Sequence, residues 1–260
     1  MTSEIFLDRD SIIHRLDART KILVFLLNFV ALVLFEHPLW IVPITTLIVL
    51  QVSLAGAWVN IWRIRFLFFV LILTGLVMWN IFASGETHLF WFVDLESLLY
   101  TITRVTLICM MIFSGVLLIS TTRNEELVLG MIQLGLPYRV GFAISTSLRL
   151  VPTIASSIFT ISQAQRSRGL DLESGNILER IKKYLPLLIP VFISTIRNTN
   201  VFGMALESKG FGARKERSFY PHPIMSNLDY FLVAFYIVVA VASIVFDVMG
   251  YGSIQGLSKF

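Results

Sequence analysis

Long apolar runs separated by short polar punctuation dominate the chain. A charged, polar stretch at 1–21 leads into apolar residues 22–35. Glu36-His37-Pro38 interrupts them, and a second apolar run follows at 39–56. This is the pattern of a transmembrane hairpin with a very short turn at Pro38. Further runs lie at 66–83, 97–120 and 229–249. These lengths approach the ~20 apolar residues that a helix needs to cross a bilayer, and the first run is short enough to require tilt or shelter. Between the fourth and fifth runs the pattern changes. Over 138–168, Ser145, Arg149, Thr153, Ser156, Thr160, Gln163 and Ser167 recur at three- and four-residue steps. Ile144, Leu148, Val151, Ala155 and Ile158 share another face. That period predicts an amphipathic helix rather than a lipid-facing span. A second long run, 184–209, clusters Ser194, Thr195, Arg197, Asn198 and Asn200. Pro152 in the first run, and Pro186 and Pro190 in the second, predict bends. A charged connector, 171–183, joins the two.

Composition agrees with the pattern. Hydrophobic residues make up 56% of the chain and charged residues 15%, with a mean hydropathy of +0.78. A soluble domain rarely has these values. The expected fold is an all-α integral membrane protein, with about five transmembrane helices plus two long kinked amphipathic helices on the cytosolic side. The organisation is 1–120 for the N-terminal membrane helices, 121–227 for the cytosolic module, and 228–260 for the last transmembrane helix and tail. Thr121-Thr122-Arg123-Asn124-Glu125-Glu126 opens the module as a helix start, and that helix ends near Gly135.

Charge sets the orientation. Lys and Arg occupy the N-terminus, the Arg63/Arg65 turn and the stretch 123–217. They are absent from the Glu36 turn and from 84–96, where Phe90-Trp91-Phe92 suggests an interfacial aromatic belt. By the positive-inside rule the N-terminus is cytosolic and the tail lies outside. The charged start lacks the pattern of a cleavable leader. Arg104, inside the fourth run, is expected to snorkel to the interface. The lone Cys109 reads as packing. The basic run 214–217 is expected to touch anionic lipid.

Candidate chemistry concentrates in one repeated hexapeptide. Ala164-Gln165-Arg166-Ser167-Arg168-Gly169 and Ala205-Leu206-Glu207-Ser208-Lys209-Gly210 each close a long run with a cation just before a glycine. Glycine there is a helix stop, and the cation suits the negative end of the helix dipole. Two such tips suggest a paired docking device, a reading that requires both ends to be exposed and not far apart. Other chemistry is missing from the chain. It has no phosphate-binding G-x-x-x-x-G-K-[ST], no H-E-x-x-H and no G-x-S-x-G. His14, His37, His88 and His222 are far apart in sequence, and no acidic pair lies within the spans to relay protons. Asp247 reads as an interface residue. Catalytic residues, metal ligands and cofactors are therefore not expected, and no basic–aromatic pattern fits nucleic acid.

The chain resembles the transmembrane, or T, component of energy-coupling factor (ECF) transporters. The resemblance runs over nearly the whole length. It is carried by Ser11 with the run His14 to Lys21, Thr121 to Leu127, Leu134-Gly135-Leu136-Pro137, Leu148-Arg149-Leu150-Val151-Pro152, and the two hexapeptides followed by Phe211. In that family the tips read Ala-Arg-Gly. Here they read Ser-Arg-Gly and Ser-Lys-Gly, and lysine lacks arginine's bidentate fork. The resemblance implies a non-catalytic coupling subunit of an ATP-driven importer for a vitamin or transition metal, in the cell membrane. Its partners would be two ABC-type ATPase subunits, docked at Ser167-Arg168-Gly169 and Ser208-Lys209-Gly210, and a membrane-embedded substrate-binding subunit on the face of Leu148, Val151, Ala155 and Ile158. The alternative is a self-sufficient secondary carrier, which would need a membrane-buried ion or substrate site.

Overall fold

The computed structural model describes residues 9, 11–34, 38–82, 88–90, 93–171, 176–213 and 225–249. In chain order the elements are α1 (Ala18–Val33), α2 (Pro38–Ala55), α3 (Trp58–Arg63), α4 (Arg65–Phe82), β1 (His88–Phe90), β2 (Val93–Asp94), α5 (Leu95–Thr121), α6 (Asn124–Gln133), α7 (Tyr138–Ser167), α8 (Ile177–Ser208) and α9 (Asn227–Val248). The turn residues 35–37, much of the loop 84–96, the basic run 214–217 and the tail from 250 lie outside the described residues.

Several boundaries differ from the apolar pattern. α1 begins at Ala18, ahead of the apolar run, because Asp17 caps it by accepting the Arg19 N–H at 2.9 Å. Thr20 and Lys21 are consequently buried. α8 begins at Ile177, inside the expected connector, where Leu-Glu-Arg-Ile-Lys-Lys are good helix formers. A short antiparallel ladder, β1 with β2, occupies part of the loop read as aromatic belt. The two long helices expected to bend at proline are continuous: α7 runs through Pro152, and α8 through Pro186 and Pro190.

The chain divides into two compact units. The first holds α1 to α6, the ladder and α9. α5 lies at its centre, packed by α1, α2, α3 and α4, while α1 also meets α6 and α9. Two apolar clusters form the core. Ala31, Leu32, Ile41, Ile44, Ile48 and Leu107 join α1, α2 and α5. Val52, Ala55, Ile61, Phe68, Cys109 and Leu117 join α2, α3, α4 and α5. α6 packs close against the start of α1 because Gly130 carries no side chain. A Cβ there would stand 3.0 Å from that of Ala18. α6 therefore belongs with the helices before it. Arg104 is half-buried, and its guanidinium sits 4.8 Å above the Tyr100 ring, one turn towards the start of α5.

Polar side chains tie this unit together. Asn28 on α1 donates to Gln51 of α2 (3.4 Å) and Ser114 of α5 (3.5 Å), and Gln51 donates to the Tyr236 hydroxyl on α9. Asn60 donates to Ser120 at 2.7 Å. The Lys21 ammonium donates to the carbonyls of His14 and Thr121, at 2.9 and 2.8 Å. The second of these is an end carbonyl of α5, left without a helical partner. Asp229 is almost fully buried. One of its oxygens accepts the Ser226 N–H at 2.8 Å in a capping box, and the other accepts the Asp17 N–H at 3.0 Å.

The second unit is α7 with α8. Gln165, near the end of α7, donates to the Pro186 carbonyl in the first third of α8 at 3.5 Å. At the other end, Phe142 of α7 lies 4.4 Å, ring to ring, from Phe211, just past α8. The helices are therefore antiparallel. Pro190 has no N–H to give its i−4 carbonyl, which is that of Pro186, and Gln165 takes up the acceptor so freed. Burial in this pair is sparse. Among the described residues of the unit, only Gly141 and Leu187 are buried.

Among the described residues, five helices are long and apolar enough to cross a membrane: α2, Ser97–Thr121 of α5, α7, Lys183–Ser208 of α8, and α9. α2, α5 and α9 answer to runs expected to cross. α1, at 16 residues, falls short of that length, and the apolar stretch of α4 among the described residues is Arg65–Met78. α7 and α8 meet it although their pattern marked them as amphipathic. Part of the reason lies in the hydroxyls. Ser156, Ser157, Thr160, Ser167, Thr195 and Thr199 all donate back to carbonyls of their own helix, which hides their polarity.

Replacing Asp229 by alanine leaves the Ser226 and Asp17 N–H groups without acceptors at a buried junction. A loss of about 1–3 kcal/mol is expected, read as a lower midpoint in thermal unfolding of the detergent-solubilised protein. An unchanged midpoint would show that the junction is held by other contacts.

Candidate docking surface

The two hexapeptide tips share one backbone geometry. At the end of α7, Gly169 has φ +89°, its N–H donates to Arg166 O at 3.0 Å, and the Leu170 N–H donates to Gln165 O at 3.0 Å. At the end of α8, Gly210 has φ +72°, with Gly210 N–H to Glu207 O and Phe211 N–H to Leu206 O, both 2.9 Å. Both are Schellman caps, and the left-handed residue in each is the glycine that tolerates it. α6 ends in the same way: Gly135 has φ +118°, Gly135 N–H reaches Ile132 O and Leu136 N–H reaches Met131 O. The cap itself is therefore ordinary helix termination. What sets the two tips apart is a cation in the residue before the glycine, Arg168 or Lys209, where α6 has Leu134.

Ser167, Arg168 and Gly169 are exposed, as are Ser208, Lys209 and Gly210. Neither Arg168 nor Lys209 has an ion pair among the described residues. The serine hydroxyls are turned inward along the helix, Ser167 to Gln163 O at 3.1 Å and Ser208 to Ala205 O at 2.9 Å. Serine thus presents little more to a partner than alanine would.

The expectation that the tips lie near each other does not hold. In an antiparallel pair successive C-termini fall at opposite ends. Lys209 sits at the Phe142 end and Arg168 at the Pro186 end. At 1.5 Å of rise per residue, about 40 Å of α7 separates them. Each end is fastened by its own contact, the Gln165–Pro186 bond near Arg168 and a clasp of Tyr138, Phe142 and Phe211 beside Lys209. Sequence reading missed both fasteners. The available signals were a proline four residues beyond Pro186, and an aromatic just after the second glycine.

Leu148, Val151, Ala155 and Ile158 are all exposed, Val151 at 59%. α8 adds Leu188, Ile189, Phe192, Ile193 and Ile196, with Phe192 at 68%. Apolar exposure on this scale marks a surface covered by lipid or by another protein. Among the described residues no group of three His, Cys, Asp or Glu side chains could hold a metal ion.

These helices, cross-linked by polar side chains within an apolar layer, define a multi-pass helical membrane protein. Residues 9–220 match the family model described as CbiQ, cobalt transport protein. The energy-coupling factor transporter transmembrane protein EcfT of Lactococcus lactis subsp. cremoris is 30% identical to the chain, over 93% of this chain and 96% of its own length. EcfT of Streptococcus thermophilus is 31% identical over 81% and 85%, and that of Staphylococcus aureus 29% identical over 83% and 85%. The chain therefore belongs to the family of transmembrane (T) components of energy-coupling factor transporters.

The separation of the tips is directly measurable. Cys109 is the one native cysteine and is buried, so Arg168→Cys and Lys209→Cys can be spin-labelled selectively. Dipolar spectroscopy on the doubly labelled chain is expected to give a distance of about 40 Å, as the helix rise requires. A main population below about 25 Å would contradict the antiparallel arrangement.

Proposed function

We propose that this chain couples two cytosolic ABC-type ATPase subunits to a membrane-embedded substrate-binding subunit, in an importer for a vitamin or a transition metal. It is a non-catalytic subunit, sits in the cell membrane and has its N-terminus in the cytosol. The observation that carries this reading is the placement of two exposed cations, each on an identical glycine cap, at opposite ends of one antiparallel helix pair.

That placement bears on orientation. Were α7 and α8 to cross the bilayer, Arg168 and Lys209 would emerge on opposite sides of it. Two grips for cytosolic subunits require the pair to lie along the membrane rather than through it. An amphipathic pair suits this position: hydroxyls bonded to their own backbone face one way, and Leu148, Val151, Ala155 and Ile158 another. Those four residues form the proposed seat of the substrate-binding subunit.

The mechanism follows from rigid geometry. A separation near 40 Å suits two separate subunits, one at each tip. Ser167-Arg168-Gly169 enters a groove on one ATPase, and Ser208-Lys209-Gly210 a groove on the other. In each case the cation meets carboxylates or backbone carbonyls. When ATP draws the ATPases together, both grips move. The Gln165–Pro186 bond and the aromatic clasp hold the pair near its two ends, so the motion passes along its length to whatever covers its apolar face. Lys209 offers a point charge in place of a planar fork, and its grip is the looser of the two.

Arg168→Ala is expected to weaken ATPase association by about 2–5 kcal/mol, the range for breaking one partner of a desolvated, hydrogen-bonded charge pair. Lys209→Ala is expected to weaken it less, and Lys209→Arg to preserve or tighten it. Co-purification of the ATPases and substrate-stimulated ATP hydrolysis read the effect. Normal assembly and turnover in the double variant Arg168→Ala, Lys209→Ala would refute the docking assignment.

A further inference from the structure

The first unit contains a cavity of about 320 Å³ between α1, α2, α5 and α9, with the segment that precedes α1 over one end. This size falls at the small end of ligand-binding cavities. Its walls are overwhelmingly apolar, with Val24, Phe25, Leu50, Leu54, Leu118 and Phe235 among them. Asn28, Gln51, Ser114 and Tyr236 also reach it, and they hydrogen-bond one another in the cross-links between α1, α2, α5 and α9.

One end differs. Thr20 lines the cavity and is fully buried, yet its hydroxyl has no hydrogen-bond partner. A buried hydroxyl left unpaired costs the full desolvation of its polar group. Lys21 lies beside it, and its ammonium spends two of three protons on the His14 and Thr121 carbonyls. This end therefore offers hydrogen-bond donors and wants an acceptor. It does not call for an anion, since Asp17, Glu126 and Asp229 already act on the charge of Lys21. A neutral carbonyl oxygen fits better than a carboxylate or phosphate.

α2, α5 and α9, which supply much of the wall, are each long and apolar enough to cross a membrane. The apolar molecules at hand are then the chains of the bilayer itself. We propose that this cavity holds one acyl chain of a glycerophospholipid, its ester carbonyl accepting hydrogen bonds from Thr20 and Lys21. The chain fills space that the four helices leave open, and the carbonyl completes the donors at the head of α1. The lipid is a structural ligand of the first unit, independent of the docking tips.

The test uses the full chain, reconstituted in diester phosphatidylcholine nanodiscs, released into detergent, washed, and examined by native mass spectrometry. One phospholipid is expected to remain per chain. Leu50→Trp, which fills the cavity, should cut the retained fraction at least about tenfold. Val24→Phe serves the same purpose if the first variant folds poorly. A diether phosphatidylcholine, which has no ester carbonyl, should be retained at least about threefold less than the diester lipid, since it loses both hydrogen bonds. Thr20→Val should narrow that preference, since Lys21 still donates, and Thr20→Ser should keep it. Retention of no lipid would overturn the proposal. So would retention of a free fatty acid in its place, retention unaffected by either filling variant, or equal retention of diester and diether lipids.

Discussion

Helices surrounded by hydrocarbon gain little from apolar packing, because lipid chains are as apolar as their own side chains. Specific polar contacts between helices then decide which arrangement is unique. In this protein that duty falls to Asn28, whose amide reaches α2 and α5 at once, and to Gln51, which carries the connection on to Tyr236 of α9. A slip of one helix by a single residue would break the set and strand amide groups in an apolar layer. Asp229 and Lys21 do the same at the edge of the bundle. There a carboxylate caps α9 and holds the start of α1, and an ammonium closes the end of α5. The rest of the first unit packs around these fixed points.

The α7–α8 pair is built on the opposite plan. Its hydroxyls bond to their own helices, its large apolar side chains face outward, and its fasteners lie near its two ends. A pair that buries so little of itself depends on what covers it. Its two cations stand on caps that fix the backbone, so a partner meets a preformed knob of known shape and charge at each end. Rigid ends and an uncovered middle suit a part that is gripped by one set of subunits while it holds another.

Much of this was legible in the sequence, for identifiable reasons. α2, α5 and α9 were readable because uninterrupted apolar runs of membrane length have few other fates. The two tips were readable because a glycine at the end of a helical pattern takes a left-handed conformation that few other residues tolerate. Local patterns do not encode tertiary placement. The start of α1 at Ala18 depends on Asp17, which is itself held by Asp229, more than two hundred residues away. The start of α8 at Ile177 lies in a stretch whose charge read as a connector but whose residues favour helix. The wide separation of Arg168 and Lys209 follows from antiparallel pairing, to which the repeat of the hexapeptide gave no clue. Gln165 looked like one more polar residue of the first tip, until the carbonyl freed by Pro190 showed what it binds.

The central claim is that both capped ends, and not the helices between them, are held by the nucleotide-driven subunits. Amide hydrogen exchange on the full chain, alone and in complex with the proposed ATPase subunits, tests this most directly. The account predicts that exchange slows in the complex at Arg168 to Leu170 and at Lys209 to Phe211 together, with both ends responding again when ATP is added. Protection confined to one end, or exchange at both ends that is indifferent to the ATPases, would contradict it.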